Sequence, residues 1–202
     1  MSAELAFAFL DCEFGGLDVE LHDLTEVGII LTDARLEEHA EAQWRVRARP
    51  ERITKAAAEI FGYDEALWAE APGVRQVLTE IVEMLPKDRK VVPAGQNVRM
   101  DVIFLERAFK KCEIPYPFDY HVIDLATLYY SWSLVAGEPA RAISLRQAAT
   151  TAGLLGSGGV AHRALEDARL TLECFRHYIA RLAPREPAEL PTPPSSSETD
   201  DA

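Results

Sequence analysis

The sequence has few cysteines and no long apolar run. Its three cysteines, Cys12, Cys112 and Cys174, are widely spaced and form no CxxC pair. This pattern argues against a disulfide framework or a zinc site, and it is typical of reduced cytosolic thiols. No apolar stretch approaches the roughly 20 residues of a membrane-spanning helix, and residues 3–10 lack the basic start of a signal peptide. We therefore expect a cytoplasmic protein without a membrane association.

Positive charge is also scarce. The chain has 21 Lys and Arg against 33 Asp and Glu, a formal net charge of −12. This argues against nonspecific binding to a polyanion, which depends on basic residues. Part of the acidity lies in residues 184–202, which are rich in Pro and Ser and contain one arginine, five acids and no aromatic residue. We predict a disordered acidic tail there, after a single domain at residues 1–183.

The apolar pattern predicts an α/β domain. The predicted strands are residues 5–11, 26–32, 43–48, 90–93 and 122–125. The predicted helices are residues 53–61, 74–85, 100–111, 144–152 and 161–182. Three strands followed by alternating helices and strands indicate a mixed sheet covered by helices. In such sheets, ligands collect at the ends of strands and in the loops that follow them.

Three short segments place acids or a histidine at such positions. Asp11 and Glu13 end the first strand, where side chains two residues apart point the same way. Asp101 lies at the start of the mid-chain helix. His162 and Asp167 lie where a glycine-rich segment enters the last helix. Because an ideal helix separates residues i and i+5 by about 140°, the two converge only if His162 belongs to a frayed first turn.

Each segment also has a purely structural interpretation. Two acids at a strand end can simply be solvated, and Asp101 can complement the dipole of its helix. His162 and Asp167 can be ordinary surface groups. Asp124, near the end of an apolar strand, is expected to support the site indirectly. Four other acids are expected to face solvent or lie at a strand edge: Asp18, Glu20, Asp23 and Glu26.

Together, four carboxylates and one imidazole have the composition of a two-metal site for phosphodiester cleavage. Carboxylates suit Mg²⁺ or Mn²⁺, and two such ions can stabilise the attacking and leaving oxygens at phosphorus. An imidazole titrates near neutral pH, so it can accept a proton from the attacking water.

The order of these motifs resembles the DEDDh 3′–5′ exonucleases, the DnaQ-like family. That family includes the proofreading subunit of bacterial replicative polymerase, RNase T and oligoribonuclease. The resemblance covers residues 5–182 and rests on DxE ending a buried strand, Asn-x-x-x-Asp opening a helix and HxxxxD opening a late helix. It implies a ribonuclease H-like mixed five-stranded sheet flanked by helices, with His162 as the general base. It also implies four ligands for two divalent ions: Asp11, Glu13, Asp101 and Asp167.

The sequence departs from this family around the first and second motifs. Gln96 stands where the family often has His, and Met100 stands where it often has an aromatic residue. FGGL replaces the common TTGL after the first motif. No metal ligand is lost, so the departures concern substrate preference more than chemistry. The residues implied to contact substrate are Phe14, Gly15, Gly16, Leu17 and Asn97.

The expected activity is metal-dependent release of nucleoside 5′-monophosphates from the 3′ end of single-stranded nucleic acid, with DNA favoured. Residues 17–36 loosely resemble the start of oligoribonuclease, whereas residues 161–170 look more like the proofreading branch. An RNA-trimming or oligoribonucleotide-degrading enzyme therefore stays open. A catalytically silent nucleic-acid-binding module is a third alternative, although all five site residues are present. A homodimer or a polymerase partner is left open.

Overall fold

One mixed five-stranded sheet forms the centre of the molecule. The computed structural model describes residues 5–139, 141–155 and 162–182. The strands are β1 (Ala6–Phe14), β2 (Leu24–Asp33), β3 (Glu38–Arg45), β4 (Val91–Gly95) and β5 (Ile123–Asp124). Their order in the sheet is β3-β2-β1-β4-β5. The pairs β1–β2 and β2–β3 are antiparallel, whereas β4 runs parallel to both β1 and β5.

Helices cover both faces of this sheet. They are α1 (Lys55–Phe61), α2 (Glu65–Ala69), α3 (Val74–Met84), α4 (Arg99–Lys111), α5 (Leu125–Ala136), α6 (Leu145–Ala152) and α7 (Ala164–Leu182). The predicted mixed five-stranded sheet flanked by helices is thereby confirmed. Within the described ranges, no helix is both long and apolar enough to cross a membrane.

The side chains of β1 divide the core into two halves. Ala8, Leu10 and Cys12 pack with residues of α3 and α4 on one face of the sheet. Phe9 packs on the other face with α5, α6 and α7, and its ring meets Phe175 edge to face at 5.0 Å. Because strand residues alternate between faces, Asp11 and Glu13 point to the same side as Phe9, toward α7.

Most predicted elements are confirmed, with shifted boundaries. The third strand lies earlier than predicted, at Glu38–Arg45, and the last helix begins at Ala164 instead of residue 161. Ser144 caps the N-terminus of helix α6, and Gly153, in the left-handed conformation, follows its last residue. Helix α5 was not predicted, because its sequence LATLYYSWSLVA is apolar on several sides and shows little helical periodicity. The predicted tail at residues 184–202 lies outside the described residues.

Candidate active site

The candidate site lies where β1 continues beyond its parallel neighbour. Pairing between β1 and β4 ends at Phe9 and Ala94, whereas β1 remains paired with β2 as far as Phe14. The last residues of β1 therefore have no strand on their β4 side. This is the segment that carries Asp11 and Glu13.

Helix α4 occupies the space left by β4. The Asp101 carboxylate accepts a hydrogen bond from the Cys12 backbone amide at 2.8 Å, and Asp101 is only 5% exposed. A side chain thus takes the position of a strand partner. It also brings a third carboxylate beside the two on β1.

Asp124 holds the start of α4 in place. Its carboxylate accepts the Val98 amide at 2.9 Å, just before α4, and the Ala126 amide at 2.8 Å in the first turn of α5. One side chain therefore joins the N-termini of the two helices. Asp124 supports the site indirectly, as expected from its place at the end of a strand.

A glycine lets α7 approach the sheet. Gly28 lies opposite Asp11 in the β1–β2 pair. A Cβ atom at Gly28 would lie 2.3 Å from the Leu165 amide nitrogen and 2.4 Å from the Ala164 carbonyl carbon. Any side chain would push the helix away. The close approach places Asp167, in the first turn of α7 and 6% exposed, over the acids of β1.

Glu26 also belongs to this cluster, and the expectation that it faces solvent or a strand edge is wrong. It is 1% exposed and lies opposite Glu13 in the β1–β2 pair. Its Oε1 accepts the Ala164 amide at 3.0 Å and the Gln43 side-chain amide at 2.8 Å, and lies 3.5 Å from Arg163 Nε. Glu26 therefore holds the N-terminus of α7 against the sheet.

The other three loop acids behave differently from Glu26. Asp18 and Glu20 are exposed, and Asp23 is half-buried in ion pairs with Arg49 and Arg52. A signal for Glu26 was present in the sequence, because it lies in an apolar run whose neighbours are all buried in β2. Burying a lone carboxylate is costly unless it is hydrogen-bonded or paired, so an acid within such a run indicates a buried partner.

His162 lies immediately before α7 and completes the predicted group. Its backbone is left-handed, with φ +52°, and its side chain is exposed. Ligand atoms of Glu13, His162 and Asp167 all lie within 4.8 Å of one another, so this group could hold a metal ion. Because His162 precedes α7, the angle of about 140° that an ideal helix would place between His162 and Asp167 does not apply. The predicted convergence with Asp167 is present.

Burial, and then crowding by other acids, raises the pKa of both β1 carboxylates. The pKa of Asp11 is well above its ordinary value, first because of burial and then because of the charges on Asp101 and Asp167. Burial, followed by the charges on Asp167 and Glu26, raises the pKa of Glu13 to about 7, while Arg163 opposes this rise.

Asp101 shows the same effect on the α4 side. Burial raises its pKa to about 8, although the hydrogen bond from the Cys12 amide favours the ionised form. Clustered carboxylates with raised pKa values are typical of a site that binds cations, because bound positive charge removes the repulsion. The hard oxygen donors suit Mg²⁺ or Mn²⁺.

The residues after β1 form a turn with close internal packing. A Cβ atom at Gly15 would lie 2.2 Å from the Arg52 carbonyl oxygen, and one at Gly16 would meet the His22 ring at 2.7 Å. The Gly15 amide donates to the Asp23 carbonyl, and its carbonyl accepts the Thr54 amide. The protein's own backbone and side chains therefore account for both glycines.

Three other predicted substrate contacts lie near the end of β1 and the start of α4: Phe14, Leu17 and Asn97. Phe14, directly after Glu13, stacks on Phe104 with ring centroids 4.0 Å apart, whereas Leu17 is 82% exposed. Asn97 is exposed just before α4, with a left-handed φ of +54°. The neighbouring Gln96 donates to the Ile143 carbonyl at 3.0 Å. Gln96, which stands where the family often has His, thus connects the start of α4 to the segment before α6.

Comparison with known proteins identifies the family. A model of the RNase T exonuclease family matches residues 8–175. The chain belongs to this exonuclease family. The match includes all four predicted metal ligands and His162. It also agrees with the resemblance to the DEDDh exonucleases.

Individual relatives extend this exonuclease assignment. A probable oligoribonuclease of Schizosaccharomyces pombe is 27% identical over 146 residues, which cover 59% of this chain and 51% of that protein. The chain thus spans about half the length of this curated relative.

Solved structures share the fold. E. coli exonuclease I, in a zinc-bound complex with single-stranded DNA, has 18% identity and a TM-score of 0.71, covering 92% of this chain and 42% of that chain. A 3′-exonuclease that recognises the histone mRNA stem-loop has 15% identity and a TM-score of 0.67, and the match covers 90% of this chain and 65% of that chain.

Proposed function

We propose that the chain is a metal-dependent 3′–5′ exonuclease that acts on single-stranded nucleic acid, with DNA favoured. The observation that supports this most directly is the convergence of acids from β1, α4 and α7 with His162 at the rim. The family match supports the same reaction class. The product would be a nucleoside 5′-monophosphate.

Four carboxylates would hold the metal ions: Asp11, Glu13, Asp101 and Asp167. Two bound Mg²⁺ or Mn²⁺ ions would supply Lewis-acid activation of water and stabilisation of the departing 3′ oxygen. The hydrogen bond from Cys12 orients Asp101, and the contact at Gly28 holds Asp167 over β1. The protein therefore supplies a preorganised set of oxygen ligands.

His162 would accept a proton from the attacking water. Its exposed ring is close enough to Glu13 and Asp167 to reach a water held at the acids. A residue before the helix can also adjust its position when substrate arrives. Phe14 and Leu17 would seat the terminal nucleotide, since one offers an aromatic face and the other an exposed apolar side chain.

Digestion of labelled single strands tests this proposal. A strand labelled at its 3′ end should lose the label first as a mononucleotide in Mg²⁺ or Mn²⁺, and EDTA should stop the reaction. A 5′-labelled strand should shorten stepwise. Internal cuts, or full activity in EDTA, would contradict the proposal. Complete inactivity in both metals would favour the silent binding module.

An exoribonuclease is the second candidate function. The Schizosaccharomyces pombe relative is described as a probable oligoribonuclease, and one structural neighbour recognises an mRNA stem-loop. Contact with a 2′-hydroxyl would distinguish the two substrates. DNA and RNA strands of one sequence, digested side by side, separate the candidates by kcat/KM. Size-exclusion chromatography, alone and with a polymerase, tests whether the chain forms a homodimer or binds a polymerase, which the sequence leaves open.

A further inference from the structure

A cavity lies on the opposite face of β1 from the acidic cluster, which consists of Asp11, Glu13, Glu26, Asp101 and Asp167. It has a volume of about 320 Å³, which is within the range of small-molecule sites. Its floor is apolar and includes Leu24, Val46 and Phe104, and Val74 of α3 also lines it. Its rim carries four basic side chains: Arg47, Arg49, Arg107 and Lys111. We refer to this site as the basic cavity.

The basic cavity has a local excess of positive charge in a chain of net charge −12. Arg49 forms an ion pair with Asp23 at 2.9 Å, and Arg107 forms one with Glu20. Arg47 donates from its side chain to a backbone carbonyl, and Lys111 has neither an ion pair nor a hydrogen bond from its side chain to any residue in the described ranges. Two of the four cations therefore form no ion pair within the part of the chain that the structure describes.

Two further observations indicate that these cations are incompletely satisfied. Arg107 Nε is buried and has no acceptor among the described residues. The pKa of Lys111 is lowered, first by partial desolvation and then by the positive charges of Arg107 and Arg52, although the charge of Asp23 opposes this shift. A bound anion would provide an acceptor and reduce the repulsion between the basic groups.

The basic cavity shares a wall with the proposed active site. Phe104 lines the cavity and stacks on Phe14, which directly follows Glu13. Phe104 also lies one turn after Asp101 on α4. The stack of Phe104 on Phe14 thus connects the basic cavity to the strand end that carries the acids.

We propose that the basic cavity binds a nucleotide unit, with the base on the apolar floor and the phosphate among Arg47, Arg107 and Lys111. An aromatic and aliphatic floor beside guanidinium and ammonium groups matches this combination of a flat base and an anion. The nucleotide unit has two possible sources. One is a nucleotide of the substrate strand on the 5′ side of the scissile bond, and this source rests on the proposed function. A free nucleoside monophosphate has the same chemistry.

Binding of a 5′-labelled six-nucleotide DNA strand, measured by fluorescence anisotropy in EDTA, tests the basic cavity without catalysis. Lys111→Gln should weaken binding by at least about 5-fold and reduce the slope of log K against log salt by about 0.7, the value for one phosphate contact on a single strand. Lys110→Gln is the matched control. Lys110 is exposed on the same helix and does not line the cavity. Equal effects of the two substitutions would overturn the proposal.

Competition separates the two sources of the nucleotide. A nucleoside 5′-monophosphate that displaces the strand from the wild type, but less effectively from Lys111→Gln, would support a site for free nucleotide. If strands of four or more nucleotides depend on Lys111 while the monophosphate does not compete, the cavity binds the substrate strand. Inorganic phosphate tests the anion alone. Strand and monophosphate binding that are both independent of Lys111 would overturn the site.

The outcome is independent of the nuclease assay. Binding that depends on Lys111 in a chain with no metal-dependent digestion would retain the basic cavity and refute the proposed activity. Digestion from the 3′ end, together with strand binding that is independent of Lys111, would support the proposed activity and refute the basic cavity as a nucleotide site.

Discussion

The acidic cluster and the basic cavity lie on opposite faces of one strand end, and the fold builds them differently. The acids belong to strands and to the first turns of helices, and Asp101 and Asp167 are 5% and 6% exposed. The cations lie on loops and near the end of α4, and Arg47, Arg49 and Lys111 are exposed. Packing thus forces the acids together, whereas the cations gather at the surface. The acidic cluster should therefore be more sensitive to substitution.

Asp11→Asn should have the largest effect on activity. It removes one proposed metal ligand, so we expect it to abolish turnover in Mg²⁺ and Mn²⁺. Because Asp11 is repelled by its neighbours, the melting temperature in EDTA should stay constant or rise. A digestion assay measures the turnover, and thermal unfolding measures the melting temperature. Asp88→Asn, at an exposed acid paired with Arg89, is the control and should leave both unchanged. A large loss of stability at Asp11 would favour a structural role.

His162→Ala should reduce kcat by about 10²–10⁴-fold, the usual contribution of a positioned general base. Metal affinity should change little, because the four carboxylates remain. The matched control is His177→Ala on the same α7, about 20 Å further along the helix axis. Steady-state kinetics and metal titration separate the two quantities. Equal kinetics for the two variants would exclude His162 as the base.

Glu26→Ala should have an intermediate effect on activity and lower stability. The Ala164 amide and the Gln43 side chain would lose their acceptor, at a cost of about 1–3 kcal/mol. Displacement of α7 should lower turnover by about 10–100-fold, as for groups that orient metal ligands.

Glu26→Gln keeps an acceptor oxygen and provides the comparison. It should retain most of the stability and activity in urea unfolding and digestion assays. If Glu26→Gln is as damaging as Glu26→Ala, the charge rather than the hydrogen bonds is what matters.

The stability of the metal-free protein should fall as pH rises, an effect of modest size. Glu13 and Asp101 have folded-state pKa values of about 7 and about 8, above their unfolded values. The folded state therefore binds more protons, and their favourable contribution is complete below about pH 4 and is lost as pH rises through 7 and 8. Thermal unfolding in EDTA at about pH 6 and pH 8.5 measures this. Asp11→Asn should flatten the dependence, and added Mg²⁺ should reverse it. A melting temperature that rises with pH would contradict the assigned shifts.

The order of three short motifs, through its resemblance to the DEDDh family, predicted four acids of the cluster: Asp11, Glu13, Asp101 and Asp167. The apolar run around Glu26 signalled its burial, but the partner that the carboxylate holds could not be read from that run. That partner belongs to α7, whose Ala164 amide lies 138 residues further along the chain. The close approach at Gly28 is likewise a tertiary contact.

The basic cavity was not predicted at all. Its cations lie between residues 47 and 111 without a basic run, so only the packing of α3 and α4 against the sheet brings them together. Helix α5 was missed for a local reason, since its apolar residues hide the helical period.

The contact at Gly28 has a consequence for biosynthesis. Three of the proposed ligands are translated within the first half of the chain, but the fourth arrives on α7, the last described helix. Until that helix docks over Gly28, the growing chain carries an incomplete ligand set and lacks His162. The molecule would therefore acquire its proposed nuclease activity only when nearly all of the domain has left the ribosome. A nascent chain could then not degrade nearby nucleic acid.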